Sequence, residues 1–266
     1  MKSFKNSALI LIAIFMLAGC SSVLMTGRKQ LMLVSDAEVL AMSDSSYKSY
    51  MAGARISTKA SQSAMVTRVG QKVANAVQTY LANNGQSSII DGYTWSFKLV
   101  VDTAVNAFCM PGGKIVVYEG ILPVTATESG LAVVIGHEVA HAIAKHANER
   151  ISQQMAASYG AAAIDALLQN KSNLVRTIGA TVFGLGAQYG VMLPYNRKQE
   201  YEADRLGLIF MALAGYDPSQ AITFWQRMTA NGGSSMPEFM STHPSDSKRI
   251  ANMQAQLPEA QGYYKK

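Results

Sequence analysis

The chain has 266 residues, of which 49% are hydrophobic and only 15% charged, so it can bury a sizeable core and is excluded from the disordered and low-complexity classes. Two cysteines exclude a disulfide framework and a cysteine-rich metal cluster. The formal charge of +6, from 23 Lys and Arg against 17 Asp and Glu, comes without the basic runs that mark a nucleic-acid interface, so no nucleic-acid partner is expected.

Residues 1–19 read as a signal peptide. Lys2 and Lys5 form a positive start, and the apolar run from Ala8 to Leu17 falls well short of the roughly 20 residues a bilayer span needs. Leu17-Ala18-Gly19-Cys20 looks like a bacterial lipobox, which marks Cys20 for lipidation. Two or more acyl chains give stable anchoring. Ser21 and Ser22 stand where many Gram-negative lipoproteins carry the Asp that retains them at the inner membrane. The expectation is a protein lipid-anchored at the outer membrane and facing the periplasm, with residues 20–34 as a lipidated tether and residues 35–266 as one domain.

Ser35-Asp36-Ala37-Glu38 has capping-box spacing and opens a helix to about Ala54. Met65, Val66, Val69, Val73, Val77, Tyr80 and Leu81 recur at steps of three and four, which predicts an amphipathic helix from about Ser61 to Leu81. Trp95, Phe97, Leu99 and Val101 alternate as a strand does. Asn106 to Met110 and Lys114 to Tyr118 read as a strand and its return around Pro111-Gly112-Gly113. Helices are then expected at about 129–151, 197–214, 217–229 with Asp217 as cap, and 245–256, with a loop over 231–241. The Ala- and Gly-rich stretch 156–195 includes an apolar run, Leu174 to Leu193. Its Arg176, Gln188 and glycines favour a buried helix or hairpin over a membrane span. The fold class is α+β, mainly helical, with a small sheet in the first half.

His137-Glu138-Val139-Ala140-His141 is H-E-x-x-H inside a helical run, so His137 and His141 share a face and can both offer imidazole to one ion. Glu138 lies roughly 100° round the helix and can act on water beside the ion. Two imidazoles suit zinc better than calcium or magnesium. A third ligand is required. His146 falls about half a turn away from His137 on a continuing helix, which makes it a structural or surface histidine. Glu200 and Asp204 share a helix face in Glu200-Tyr201-Glu202-Ala203-Asp204. Glu200 can complete the ligand set and Asp204 can accept the free N–H of a ligating imidazole, with Glu202 turned away. A solvated charged face is the alternative.

At these residues the chain resembles the zinc metallopeptidases of the HtpX and CAAX prenyl protease type, family forty-eight of the metallopeptidases, in their secreted lipoprotein branch. The likeness rests on Thr26-Gly-Arg-Lys-Gln-Leu31, Asn106-Ala-Phe-Cys-Met-Pro-Gly-Gly113, His137 to His141, Arg197-Lys-Gln-Glu-Tyr-Glu-Ala-Asp204 and Thr242-His-Pro-Ser-Asp-Ser-Lys-Arg249. It implies a zincin-like domain with one zinc per chain on His137, His141 and Glu200, and Glu138 in catalysis. It also implies a sheet edge, Asn106, Ala107, Phe108 and Cys109, that lines the cleft and pairs with extended substrate.

The implied activity is endopeptidase cleavage of misfolded or misassembled envelope polypeptides. A non-proteolytic assembly factor or chaperone with a latent zinc site is the alternative. By elimination His243 is the donor to the tetrahedral oxyanion, with Arg249 and Tyr201 as weaker choices. A second role for His243 is a gate over the ion's open position. Cys109 reads as a small buried apolar residue.

Overall fold

The computed structural model describes residues 20–155, 197–230, 237–243 and 247–265. The leader, the stretch 156–195 with its apolar run, and much of the loop over 231–241 lie outside the described residues. The chain opens with an antiparallel pair, β1 (Cys20–Ser22) and β2 (Lys29–Leu31), in which Cys20 faces Leu31. Residues 20–34, expected to be a tether, are instead built into the body. Val23 and Leu24 belong to the main core, and the turn between the strands carries Gly27 at φ 67°. Val23 and Leu24 are adjacent residues buried in a turn, which leaves no period in the sequence to read.

Ser35 caps α1 (Asp36–Gly53) through the reciprocal contacts with Glu38 that the spacing predicts. The long α2 (Ala60–Asn83) buries Val66, Val69, Gly70, Val73, Ala74, Val77 and Leu81, while Met65 and Tyr80 are half-buried at the margin. Gly70 lies under the Phe97 ring, where a methyl group would overlap the ring atoms.

A three-stranded sheet follows, from β3 (Ser96–Val100), β4 (Ala107–Met110) and β5 (Lys114–Tyr118), in the order β3-β5-β4. β5 runs parallel to β3 and antiparallel to β4, with Ala107 opposite Val117 and Met110 opposite Lys114. The return turn places Gly112 and Gly113 at φ 84° and 80°, a conformation that residues with a side chain rarely adopt. β4 lies at the sheet edge, and β4 and β5 are buried on both faces.

Across the sheet lies α3 (Glu128–Ile143), capped by Thr127 and buried at every position from Gly130 to Ile143. The expected single helix to Ile151 is broken. Residues 144 and 145 form a turn, with Lys145 at φ 55°, and helix resumes at 146–155. The remaining elements are α4 (Arg197–Leu213), α5 (Gln220–Ala230), a short helix Glu238–Thr242 and α6 (Ser247–Gln261). Asp217 accepts the Ser219 N–H at 2.9 Å just ahead of α5, as a cap does. α6 runs past its expected end through Pro258. Among the described residues no helix is long and apolar enough to cross a membrane.

Candidate metal centre

α3 and α4 cross where both carry glycine. A Cβ on Gly207 would stand 2.9 Å from the His137 backbone nitrogen, and one on Gly136 would stand 2.9 Å from the Gly207 carbonyl oxygen. With no side chain between them the two backbones approach closely, and α4 brings Glu200 up to the imidazoles of α3. His137 Nε2 and His141 Nε2 lie 3.0 Å apart. Glu200 Oε2 is 3.4 Å from the first and Glu200 Oε1 is 3.4 Å from the second.

A tetrahedral zinc with bonds of about 2.0–2.1 Å has ligand atoms separated by roughly 3.3 Å. The three separations bracket that value. Ligand atoms of His137, His141, Glu200 and His243 all fall within 4.8 Å of one another, and all four residues are buried. Two ring nitrogens and a carboxylate converging in a dry site match the donor chemistry of zinc, so the residues present fit the ion. The alternative of a solvated face for Glu200 is excluded, since Glu200 is fully buried.

The rings of His137 and His141 are each held from behind. His137 Nδ1 lies 3.0 Å from Asp204 Oδ1. Asp204 is gripped by Arg249, whose Nε and Nη2 donate at 2.6 and 2.8 Å. The same guanidinium sits 3.0 Å from Glu200 Oε2, donates to the His243 carbonyl at 3.2 Å, and lies 4.0 Å above the Trp225 ring centroid. Arg249 therefore braces the two buried acids Asp204 and Glu200. Tyr201, weighed as an oxyanion donor, is half-buried on α4.

His141 is backed by a residue the sequence reading set aside. The break at 144–145 turns His146 inward instead of half a turn away, and it is completely buried. Its Nδ1 lies 2.8 Å from His141 Nδ1 and its Nε2 lies 2.9 Å from Glu202 Oε2. The surface alternative for His146 is thereby corrected. Glu202 does point away from the ion, as expected, but onto this histidine.

Glu138 is buried beside the ligands. The Cys109 N–H donates to its Oε2 at 3.0 Å, and His243 Nε2 lies 3.2 Å from its Oε1. His243 Nδ1 is 3.2 Å from both His137 Nε2 and Glu200 Oε1, so this ring joins the cluster as a fourth group able to offer a donor atom. Of the four residues expected along the substrate edge, Ala107, Phe108 and Cys109 form β4, and Asn106 precedes it with its side-chain amide 3.1 Å from Glu238. Phe108 packs away from the centre, edge-on to Tyr50 and Tyr118. Cys109 is fully buried, and burial raises its thiol well above the ordinary range.

Burial and neighbouring charges compete at this cluster. Burial pushes Glu138 above its ordinary value, against the pull of His243 and His137. Burial drives His141 well below its ordinary value, which keeps it neutral as a ligand must be. Burial also opposes a charged His137, but the hydrogen bonds it donates to Asp204 and Glu200 outweigh it and raise that ring to about 9. Burial opposes the charge on Glu200 as well, yet His243 and Arg249 hold that carboxyl well below its ordinary value.

Residues 60–257 match the family model described as Peptidase family M48. The mitochondrial metalloendopeptidase OMA1 of Schizosaccharomyces pombe is 38% identical over 195 residues, 71% of this chain and 53% of that protein. Metalloendopeptidase OMA1, mitochondrial, of Homo sapiens is 26% identical over 88% of this chain and 45% of its own length. The Beta-barrel assembly-enhancing protease of Escherichia coli is 27% identical over 59% of this chain and 33% of its own length. The chain thus spans about half the length, or less, of these relatives. They also overturn the expected placement at the outer membrane facing the periplasm, since the relative at 38% identity is mitochondrial and the bacterial one is less similar.

Proposed function

Because this chain belongs to peptidase family M48, we propose that it is a zinc-dependent endopeptidase in which His137, His141 and Glu200 hold the ion and Glu138 is the general base. The observation that carries this reading is the convergence of two Nε2 atoms and one carboxylate at 3.0 to 3.4 Å, with a second buried acid, Glu138, beside them. Zinc, when bound, acidifies water and polarises the scissile carbonyl. Glu138 takes the proton from the attacking water and returns it to the leaving amine. The Cys109 N–H fixes the Glu138 carboxylate from the β4 side, which ties the base to the sheet edge. Asp204 and Arg249 fix the tautomer and the plane of His137.

We assign His243 the role of gate. Its ring packs against His137, Glu200 and Glu138, and His137, His141, Glu200 and Glu138 are at most 3% exposed, so water and a peptide carbonyl would have to displace it. Displacement of that ring opens the centre. The edge of β4, which the Cys109 N–H ties to Glu138, then comes within reach of an extended chain. The main-chain character of such pairing favours unstructured polypeptide, and we propose misfolded or misassembled proteins as the substrate class.

The test is degradation of an unfolded protein by the wild type and by Glu138→Gln, each with and without a chelator. We expect zinc bound to both, and hydrolysis only by the zinc-loaded wild type. Hydrolysis by Glu138→Gln within tenfold of wild type would falsify the assignment of the base. Polypeptide holding that survives in Glu138→Gln would point to the chaperone alternative.

A further inference from the structure

A ligating imidazole that gives Nε2 to a metal carries its proton on Nδ1, and that N–H needs an acceptor. For His137 the acceptor is Asp204. For His141 the group at 2.8 Å is another imidazole nitrogen, His146 Nδ1. The proton positions then follow in order. His141 Nδ1–H donates to His146 Nδ1, so His146 bears its own proton on Nε2 and donates to Glu202 Oε2 at 2.9 Å. The left-handed Lys145 makes this possible, because it turns His146 back towards His141.

Glu202 is fixed from outside α4. Thr26 Oγ1 donates to its Oε1, and Arg28 Nε donates to its Oε2 at 2.8 Å. Arg28 Nη2 also lies 2.8 Å from that oxygen, Nη1 and Nη2 donate to Glu149 at 2.7 and 2.8 Å, and Gln199 Nε2 donates to Glu149 at 2.7 Å. Thr26 and Arg28 sit in the β1–β2 turn, more than 100 residues before His141 in sequence. Their presence against Glu202 is what gives this turn a task beyond burying Val23 and Leu24.

We propose that His146 and Glu202 are positioning residues for the ligand His141, and that the N-terminal hairpin, through Thr26 and Arg28, is the clamp that holds them. The metal centre of this chain thus includes its first described element. The inference rests on the zinc reading above and deepens it. A purely architectural role for the same contacts predicts a loss of stability with no change in how the ion is held.

The experiment measures zinc affinity by competition with a chromophoric chelator, together with the visible spectrum of the cobalt(II)-substituted full chain. The variants are wild type, His137→Ala, His146→Phe, His146→Gln and Arg28→Met. We expect His146→Phe to weaken zinc about 10- to 100-fold and to shift the cobalt bands, with thermal unfolding of the metal-free protein little changed. A glutamine can accept from His141 and donate to Glu202, so His146→Gln recovers affinity towards wild type. Arg28→Met weakens zinc less than His146→Phe.

Wild-type affinity and an unshifted cobalt spectrum in His146→Phe overturn the proposal. Should that variant not fold, Arg28→Met decides by the same two readouts. If the wild type binds no zinc, or His137→Ala binds it equally, the zinc reading itself fails. That result is distinct from failure of the clamp alone.

Discussion

The crossing of α3 and α4 at Gly136 and Gly207 sets the distance between the imidazoles and Glu200, and Gly207→Ala probes it directly. On an unconstrained helix this change stabilises by about 1 kcal/mol, because glycine is a poor helix former. Here the new methyl group meets backbone on the opposite helix, at 2.9 Å from His137 N and 3.1 Å from both Gly136 C and His137 Cα. Backbone atoms in a buried helix cannot swing aside, so the helices must part by roughly 0.5 Å to reach ordinary contact.

Overpacking of this kind costs about 1–3 kcal/mol, which outweighs the propensity gain and leaves a net loss of up to about 2 kcal/mol. For a chain of this size that is roughly 4–8 °C in Tm. Separation also lengthens the 3.4 Å approaches of Glu200 to both imidazoles, so zinc affinity falls as well. Thermal unfolding with and without zinc, plus a chelator competition, reads both effects. Gly53→Ala, with open space around its Cβ at the end of α1, is the control and is expected to be neutral or slightly stabilising. If Gly207→Ala raises Tm as an exposed Gly→Ala change does and leaves zinc affinity unchanged, close helix approach is not what builds the centre.

Arg249→Leu takes the guanidinium from buried Asp204 and Glu200, and should cost about 3–5 kcal/mol in denaturant unfolding of the metal-free protein; a loss below about 1 kcal/mol would show that His137 compensates both acids. His137 is protonated below about 9 in the metal-free chain, and zinc requires it neutral, so apparent affinity should rise up to tenfold per pH unit from near neutrality towards 9. Calorimetry in buffers of different ionisation enthalpy should show about one proton released at pH 7.5; no release would contradict the raised value. The same raised value contributes stability to the metal-free protein that is complete below 6.5 and is lost as the pH rises through about 9. His243→Ala should increase turnover of an unfolded substrate if the ring blocks access to the cluster, whereas a drop of two or more orders of magnitude would reassign it to oxyanion stabilisation.

What could be read from the sequence follows a physical line. Patterns that repeat within one element, such as the buried stripe of α2, the capping box at Ser35 and the two-glycine turn before β5, are set by local geometry and were legible as written. The pairing of His137 and His141 is likewise local, and the shared face of Glu200 and Asp204 is periodic on its own helix. Contacts made between elements left weaker traces. Glu202 reads as solvated in a charged run, because nothing in that run announces a histidine and an arginine on two other elements.

A continuing helix would turn His146 away from His137, whereas the turn at 144–145 brings it inward. A lysine in the left-handed region at 145 carries no compositional signal, since its cost of about 1–2 kcal/mol is offset by the contacts it enables and not by the residue itself. The turn at Thr26 to Arg28 was singled out only by likeness, since a strand pair three residues long has no period to detect. One signal was available. Only four histidines occur in the chain, and all four come together, with ring centroids of successive pairs 4.6 to 5.1 Å apart. In a composition so sparing of imidazole, a histidine five residues beyond a ligand is better read as part of the centre than as surface. That inference needs no helix geometry at all.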